Sequence, residues 1–411
     1  MKQPSVLFIN RVYPPHRGAS GRMLYDLSRA FRENGWHVTV LTTGPEAAQE
    51  TLASGIEVRR VKGVLRRKTA PAYMLIWLRL VLLGLRLPRH QLVVSMSDPP
   101  LLLVAAHYIA KFKNSYHMHW CQDVYPDLLP KLGKAPPGFV MRILTRMSRR
   151  LMKRCDKVVA IGRCMARYLT HSGVEPARVA VIPNWAEPEL TGDRKRRRQQ
   201  QARTHANTAE ADRELYGDSR PRFRVLYSGT LGLAHPVGTI LDAAEILLSH
   251  YDDIEFVFCG NGSGHEYVAS ERSRRGIDNI RMLPRQPIDR LPGLMESGDM
   301  HLITMPQDCA GLLVPCKLYS ALAANRPVIL VGPEDTEIGR VINDFSAGSI
   351  VAQGDAQALA RVIAHYRDDG EAWFAAHEGA MKARQVFVPS ESHTAWLERA
   401  RALINSGGAG F

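Results

Sequence analysis

One stretch constrains the fold of this chain more than any other: residues 309–331, CAGLLVPCKLYSALAANRPVILV. It predicts a glycine-containing loop, a helix that begins near Pro315 and a buried strand from Arg326 to Val331. Proline is well tolerated in the first turn of a helix, where its missing N–H would have had no partner. The stretch is therefore typical of a loop, helix and strand in an α/β domain.

The loop before this helix has the composition of a phosphate-binding site. Gly311 allows the backbone to approach a ligand closely. Leu312 and Leu313 would offer backbone N–H groups beside a helix N-terminus, which carries about half a positive charge. Lys317 adds a full positive charge on the first turn. The same pattern also fits an ordinary loop of an α/β domain, so the stretch alone leaves both interpretations open.

The chain opens with a similar strand, glycine loop and helix. Residues 5–10 are predicted as a strand and residues 22–33 as an amphipathic helix. Between them, Gly18 and Gly21 permit a tight turn, and Ser20 is a candidate helix cap. The loop lacks the GxGxxG fingerprint of dinucleotide-binding proteins, so a plain turn between strand and helix is an equal alternative.

The second half of the chain repeats this organisation. A strand predicted at 223–228 leads into a glycine-containing loop, and a strand predicted at 254–260 leads into another. The loop residues of interest are Gly229, Gly232, His235, Gly260 and Gly262. One such unit in each half predicts an α/β fold with two Rossmann-like domains facing a central cleft.

Composition divides the chain into four parts. Residues 1–190 and 222–388 are predicted as the two domains, and residues 191–221 as a polar, basic linker without apolar periodicity. Residues 389–411 contain a predicted helix with no partner in its own half, which is expected to cross back to the first domain. The linker sequence RKRRR has no aromatic neighbours for base stacking, so no specific nucleic-acid partner is expected.

The chain carries a formal net charge of +14, from 54 basic and 40 acidic residues. This surplus predicts attraction to a phosphorylated substrate, an acidic lipid or nucleic acid. The six cysteines form no CxxC pair and no grouping with histidine, which is typical of reduced thiols in a cytosolic protein. Neither a signal peptide nor a spanning stretch of ~20 apolar residues is present, so a cytoplasmic, peripheral location is expected.

Two predicted helices carry basic residues in patterns that fit a membrane surface. The apolar helix at 71–88 has Arg79 and Arg86 on one face, as in an interfacial helix or a buried helix with snorkelling arginines. The helix at 136–154 carries a basic stripe without acidic residues between its members. Such a stripe is usually a solvated face, but five cations together favour an anionic surface. The stripe consists of Arg142, Arg146, Arg149, Arg150 and Lys153.

Polar residues follow the strand predicted at 115–121. Ligands of open α/β sheets bind at the carboxyl edge of the strands, so Asp123 and Asp127 are candidates for chemistry. His117 and His119 share one face of the strand and would suit a metal ion. No third ligand lies near them in the sequence, so no metal site is predicted.

Taken together, these loops resemble those of the retaining glycosyltransferases with two Rossmann-like domains, family 4 of the nucleotide-sugar transferases. The likeness is strongest to the branch that assembles O-antigen, capsule and exopolysaccharide. It runs from residue 10 to residue 342 in the family's order, although each loop alone is a weak signal. The matching strings are NRVYPPHRGASGRM, SDPPLL, QDVYPDLL, VIPNWA, LYSGTLGLAHP, FCGNGSG, LPRQP, GLLVPCKLYSALAANRPVI and GPEDTEIGRVI.

The resemblance implies a GT-B fold and a metal-independent transfer with retention of configuration. The second domain would bind the donor diphosphate at residues 229–235 and after Gly311, with the base near Arg285. The Gly18–Gly21 loop would close over the phosphates, and Asp123 would lie beside the anomeric carbon. The donor-binding residues implied are Gly18, Ser20, Gly229, Gly232, His235, Gly260, Gly262, Arg285, Leu312, Leu313 and Lys317.

Two departures from the family pattern affect the expected contacts with the donor sugar. Many members carry two glutamates eight residues apart where this chain has Cys309 and Lys317. Many also carry an arginine and a lysine where this chain has Thr230 and His235. The PCKLY variant occurs in the polysaccharide branch, so the resemblance does not imply a dead enzyme.

The expected reaction moves a sugar from a nucleotide diphosphate, with UDP favoured by the resemblance, onto a polyprenyl-diphosphate-linked saccharide at the inner face of the cytoplasmic membrane. Backbone N–H groups, a helix terminus and Lys317 would neutralise the leaving diphosphate, so neither metal nor cofactor is expected. One alternative is a nucleotide-sugar epimerase, which would convert the donor without an acceptor. Another is an inactive, membrane-docked partner of an assembly complex. The sequence does not specify an oligomeric state.

Overall fold

The computed structural model describes residues 3–15, 18–63, 70–186, 188–191, 222–232 and 236–406. It divides into two compact units. Unit 1 comprises Met1–Asn184, Gly311–Val314 and Ser390–Phe411, and unit 2 comprises Trp185–Ala310 and Pro315–Pro389. Most of the predicted linker, residues 192–221, lies outside the described residues, as does His235.

Unit 1 is built on an eight-stranded sheet with helices between the strands. Its strands are β1 Ser5–Ile9, β2 His37–Gly44, β3 Ala48–Thr51, β4 Glu57–Lys62, β5 Leu92–Ser95, β6 Tyr116–Cys121, β7 Lys157–Ala160 and β8 Val179–Val181. Its first helices are α1 Ala19–Glu33, α2 Ala70–Arg86, α3 Leu102–Phe112, α4 Gly138–Met152 and α5 Arg163–His171. The strand order is β3-β4-β2-β1-β5-β6-β7-β8, and only the edge pair β3–β4 is antiparallel.

The chain reverses its direction across this sheet between β1 and β5, so the helices divide between its two faces. Because strand–helix–strand crossovers are right-handed, α1 lies on one face and α2, α3 and α4 on the other. Leu80 of α2 and Ile109 of α3 share a buried core with Leu7 and Val93 of the sheet. Gly84 lets α2 approach α3 closely, since a Cβ there would overlap the side chain of Ile109.

Unit 2 is built on a six-stranded parallel sheet. Its strands are β9 Phe223–Thr230, β10 Ile254–Asn261, β11 Ile280–Pro284, β12 Met300–Thr304, β13 Val328–Val331 and β14 Gly348–Val351. Its helices are α6 Pro188–Thr191, α7 Gly238–Leu248, α8 Ser263–Arg275, α9 Leu291–Ser297, α10 Lys317–Ala323, α11 Glu337–Phe345, α12 Ala356–Asp368 and α13 Gly370–Val386. The order β11-β10-β9-β12-β13-β14 reverses between β9 and β12, which is where doubly wound sheets bind ligands.

The last helix, α14 (Pro389–Ser406), packs in unit 1 although it follows unit 2 in the sequence. Trp396 is fully buried, and its ring centroid lies 5.0 Å from that of Trp120 on β6. Ser392 donates a hydrogen bond of 2.9 Å from its Oγ to the carbonyl oxygen of Pro183. The predicted return of the C-terminal helix to the first domain is confirmed.

Two elements around residue 315 begin two residues later than the positions named from the sequence. The helix α10 begins at Lys317 instead of Pro315, because the residues before Pro315 belong to unit 1 and pair with it in an extended form. The strand β13 begins at Val328 instead of Arg326. Pro327 has no N–H to donate to a neighbouring strand, so the ladder starts after it.

Three further details of unit 1 differ from the predictions. Ser20 does not cap α1, because the helix already begins at Ala19, and its N-cap residue is Gly18. Strands β3 and β4 were not predicted from the sequence. All four residues of β3 are exposed, so this strand lacks the apolar alternation that would have indicated it.

None of the helices in the described ranges is both long and apolar enough to cross a bilayer. The inner side of α2 carries the buried residues Ile76 and Leu80, so α2 is a helix of the unit 1 core. Arg79 donates a hydrogen bond of 2.5 Å to the carbonyl of Lys62, and Arg86 is exposed.

We expect Trp396→Ala to destabilise unit 1 by about 3–5 kcal/mol, because it leaves a cavity against Trp120 beneath α14. The free energy of unfolding from urea titration measures the change. Phe374→Ala, an exposed aromatic position on α13, is the matched control and should change stability by less than about 1 kcal/mol. Equal stability of the Trp396 variant and the wild type would contradict the packing of α14.

Candidate functional site

Three strand ends form one row at the carboxyl edge of the unit 2 sheet. Gly229 of β9 pairs with Gly260 of β10, and Gly260 pairs with Pro284 of β11. One residue further on, Thr230 pairs with Asn261. Strands β9 and β10 therefore stay paired up to the point where their loops begin.

Glycines allow these loops to pack backbone against backbone. A Cβ at Gly260 would overlap the carbonyl oxygen of Gly229, and one at Gly262 would overlap that of Leu231. Gly262 also has a φ of +110°, which residues with side chains rarely adopt. The N–H of Gly264, in the first turn of α8, donates to the carbonyl of Leu231 at 2.9 Å. The N-terminus of α8 is thereby held against the loop after β9.

Lys317 lies across the end of β9. A Cβ at Gly229, whose φ is +123°, would come within 2.9 Å of the Cε of Lys317. The Nζ of Lys317 donates to the hydroxyl of Tyr227 at 2.5 Å and to the carbonyl of Thr230 at 3.4 Å. The two acceptors are neutral, so this ammonium group keeps its capacity to attract an anion.

Burial lowers the pKa of Lys317 from 10.5 to about 7. It also raises the pKa of Tyr227, which stays a neutral phenol at physiological pH. The side chain of Lys317 is still partly exposed to solvent, so an incoming ligand can reach it. A phosphate bound there would favour the charged form of the lysine.

The predicted donor-binding residues are brought together in part. Gly229, Gly260, Gly262 and Lys317 lie at one edge of the unit 2 sheet, and Gly232 continues the loop after β9. Arg285 directly follows β11, the edge strand beside β10, and is exposed. These placements are compatible with diphosphate and base contacts, which stay predictions.

Leu312 and Leu313 group with unit 1. Leu313 forms an isolated antiparallel bridge with Asp123, and the carbonyl of Leu312 accepts a hydrogen bond of 2.8 Å from the N–H of Val124. Gly311, with a φ of +76°, lies against α5, where a Cβ would come within 3.1 Å of Tyr168. Residues 311–314 are therefore packed on the loop that carries the predicted catalytic residue.

Asp123 follows β6 at the carboxyl edge of the unit 1 sheet. The Oγ of Ser97 accepts hydrogen bonds from the N–H groups of Gln122 (3.0 Å) and Asp123 (3.2 Å), which fixes the turn. Burial raises the pKa of the Asp123 carboxyl from 3.8 to about 7, and the charge of Asp98 adds to the effect. A carboxyl group with this pKa can exchange a proton near neutrality.

The rest of the QDVYPD loop is held by hydrogen bonds to neighbouring helices. The Oδ1 of Asp127 accepts from the Nη2 of Arg149 and from the hydroxyl of Tyr168, both at 2.8 Å. Arg149 therefore differs from the other members of the predicted basic stripe: it pairs with Asp127 inside unit 1. The side chains of Gln122 and Asn184 exchange two hydrogen bonds, of 3.0 and 2.8 Å.

Sequence reasoning missed an ion pair at the point where the unit 1 sheet reverses. Arg11, after β1, donates from Nε and Nη2 to the two carboxylate oxygens of Asp98, after β5, at 2.8 and 2.7 Å. The ring of Tyr73 lies 5.9 Å from the guanidinium carbon of Arg11. Arg11 and Asp98 stood within two of the matching strings, NRVYPP and SDPPLL, but their pairing joins residues 87 apart.

Four other candidate residues pack within unit 1. Gly18 and Gly21 each pack against Val12, so these glycines permit close packing within unit 1. His117 and His119 are buried and share the hydroxyl of Ser95 as a hydrogen-bond partner at 3.0 Å. No group of three metal-ligating side chains occurs among the described residues.

Two family models match the chain, one for each unit. A "Glycosyl transferase 4-like domain" matches residues 18–185, and "Glycosyl transferases group 1" matches residues 222–369. The chain therefore belongs to the two-domain glycosyltransferases of the GT-B, family 4-like type.

Two curated relatives are each 26% identical to the chain. One is a putative colanic acid biosynthesis glycosyl transferase, WcaI, of Escherichia coli, matched over 240 residues, which are 58% of this chain and 56% of that protein. The other is a probable glycosyltransferase, WbjE, of Pseudomonas aeruginosa, matched over 283 residues, 68% of this chain and 66% of that protein. The matches thus span less than two thirds of either relative.

Solved structures confirm the predicted fold class. HepE of Anabaena, solved in complex with UDP and glucose, has a TM-score of 0.68 at 15% identity, over 97% of this chain and 100% of that chain. Sucrose-phosphate synthase of Thermosynechococcus elongatus has a TM-score of 0.74 at 13% identity, over 98% and 100%. At such identities the likeness is one of fold.

We expect Lys317→Ala to weaken UDP binding by on the order of 1.5–3 kcal/mol, because it removes a charged contact to phosphate. Isothermal titration calorimetry measures the dissociation constant. Lys382→Ala, which removes an exposed lysine of α13, is the matched control and should leave it unchanged. An unchanged constant for the Lys317 variant would exclude this lysine from the site.

The same titration has a pH signature. Since the free lysine titrates near pH 7 and the bound lysine stays charged, binding at pH 8 should take up close to one proton. Affinity should fall as the pH rises above 7, by up to about tenfold per pH unit. The Lys317 variant should lose both effects. Proton uptake that persists in the variant would mean that another group titrates.

Proposed function

We propose that this protein is a retaining, metal-independent glycosyltransferase that moves a sugar from a nucleotide diphosphate, UDP by preference, to a saccharide acceptor. The observation that carries the proposal is the arrangement of Lys317 over Gly229 where the unit 2 sheet reverses, beside the N-terminus of α8. A lysine, two glycine-rich loops and a helix terminus provide the positive field that a diphosphate needs. The UDP in the HepE structure supports the choice of nucleotide.

In this proposal the bond between the anomeric carbon and the diphosphate breaks while the acceptor oxygen bonds to the same carbon. The field around Lys317 disperses the charge that develops on the departing diphosphate. We assign to Asp123, in its ionised form, the stabilisation of the positive charge that develops on that carbon. The proton of the acceptor hydroxyl leaves with the diphosphate. Retention then requires no carboxylate that activates water, unlike hydrolysis by glycosidases.

We further propose that the acceptor is a saccharide on a lipid diphosphate at the inner face of the cytoplasmic membrane. The net charge of +14 favours an acceptor that carries negative charge. The name of WcaI, a putative colanic acid biosynthesis glycosyl transferase, supports a role in polysaccharide biosynthesis, and that of WbjE, a probable glycosyltransferase, supports the class of enzyme.

A thermal-shift series with UDP, GDP, ADP and CMP tests the donor class. A nucleotide present at 100 times its dissociation constant should stabilise the protein by about 2.7 kcal/mol, or several degrees. We expect this shift with UDP alone. A shift with another nucleotide alone would reassign the donor, and no shift with any would favour an inactive assembly partner.

Asp123→Asn should lower turnover by on the order of 100-fold or more and leave UDP affinity unchanged. The pH profile provides a second measurement: activity of the wild type should rise through pH 7 as Asp123 ionises, and the variant should lack this rise. Glu175→Gln, at an exposed carboxylate of unit 1, is the control. Full activity of the Asp123 variant would exclude a chemical role for this charge.

Consumption of the UDP-sugar without acceptor, to give an epimer, would support the epimerase alternative.

A further inference from the structure

The outer side of α2 exposes large apolar side chains. Met74 is 66% exposed, and Leu75, Leu78 and Leu82 are each close to half exposed. Apart from the adjacent pair Met74 and Leu75, these residues are three, four, seven or eight positions apart, so they form a stripe along one side of the helix. The opposite side of α2 is buried in the core through Ile76 and Leu80. A helix that covers the core on one side normally carries polar residues on the side that faces solvent, whereas α2 carries this apolar stripe there.

The two helices that follow α2 on the same face of the sheet show the same feature. On α3, Tyr108 and Phe112 are exposed, the latter by 73%, and they lie four residues apart. On α4, Phe139 and Ile143 are exposed, also four residues apart. Because α3 packs against both α2 and α4, the outward sides of the three helices belong to one surface, which we call the α2–α4 face. Such a concentration of exposed apolar side chains marks an interaction surface.

The charge on these helices has one sign. The sequences of α2, α3 and α4 contain no aspartate or glutamate. Their cations are Arg79, Arg86, Lys111, Arg142, Arg146, Arg149 and Arg150. Of these, Arg142, Arg146 and Arg150 are exposed on α4 and form no ion pair within the described part of the chain. The face therefore combines apolar side chains with a positive field.

We propose that the α2–α4 face docks on the surface of an anionic lipid bilayer. Apolar and aromatic side chains enter the boundary between head groups and acyl chains, while arginines along the helix contact lipid phosphates. Each basic residue near such a surface adds to the attraction, and these helices contain no acidic residue that anionic lipids would repel. The face lies in unit 1 on the side of the sheet opposite α1.

The charge also argues against other occupants. A second copy of this chain would bring the same cationic face toward its own image, and like charges would oppose the contact. A lipid surface accepts the mixture of exposed leucine, phenylalanine and arginine without shape complementarity, since lipids adapt to the helices. The proposal does not depend on glycosyl transfer, so it can be tested without a sugar donor.

Sedimentation of the full chain with lipid vesicles tests the proposal. Equal parts of phosphatidylglycerol and phosphatidylcholine provide the anionic vesicles, and pure phosphatidylcholine the neutral ones. We expect the wild type to bind the anionic vesicles at least about tenfold more tightly than the neutral ones. Equal retention on both, or no retention on either, would overturn the proposal.

One variant removes the apolar contribution and has a matched control. This variant combines Leu78→Ser, Phe112→Ser and Phe139→Ser, so it replaces one exposed apolar side chain on each helix. Its binding to anionic vesicles should fall about tenfold or more. The control combines Phe374→Ser, Met381→Ser and Val386→Ser, three exposed apolar residues of α13. Equal loss in both variants, or retention in the first, would overturn the role of the face.

A second variant reverses the charge. This variant combines Arg142→Glu, Arg146→Glu and Arg150→Glu, and its binding to anionic vesicles should fall about tenfold or more. The control combines Arg361→Glu, Lys382→Glu and Arg399→Glu, and its binding should fall less. Unchanged thermal midpoints of all variants establish that they are folded. Sedimentation velocity tests the competing occupant, a second copy of this chain. If the wild type forms a dimer and the serine variant is a monomer, the face binds a second copy, and the lipid assignment is overturned.

Discussion

The backbone pairing of β9 with β10 is the constraint on which the unit 2 site depends. It runs through Gly229 and Gly260 to Thr230 and Asn261, beyond the buried part of both strands. A side chain at Gly260 would force the two strand ends apart, and the loop after β9 would then lose its contact with the first turn of α8. The glycines thus bring a helix terminus and Lys317 to the same edge, and this proximity gives the site its positive field.

The chemistry of that edge follows from a lysine that is partly removed from water. The resemblance to family 4 implies a glutamate at this place in many members, whereas this chain places the basic side chain of Lys317 there. Its contacts, Tyr227 and the carbonyl of Thr230, are neutral, and burial shifts its pKa close to 7. A bound diphosphate would supply the missing counter-charge, so ligand binding and protonation are coupled.

Local pattern was sufficient for the fold class and for most elements, although not for β3 and β4, and it was not sufficient for the site. Glycine loops between a predicted strand and helix placed Gly229, Gly260 and Asp123 at the carboxyl edges of two sheets, because these edges follow from strand direction alone. Contacts between distant residues could not be read from spacing. The Lys317–Tyr227 pair joins positions 90 residues apart, and the pairing of Leu313 with Asp123 moves residues 311–314 from the predicted donor loop into unit 1.

The apolar sequence of α2 was ambiguous for a related reason: its residues are apolar on most sides, and only packing distinguishes the side covered by the sheet.

In unit 1, hydrogen bonds also connect the loop that carries Asp123 to two helices. Asp127 accepts hydrogen bonds from Arg149 of α4 and from Tyr168 of α5, and it lies four residues after Asp123. If α4 rests on a bilayer, the hydrogen bond from Arg149 connects the docked helix to the loop that carries Asp123.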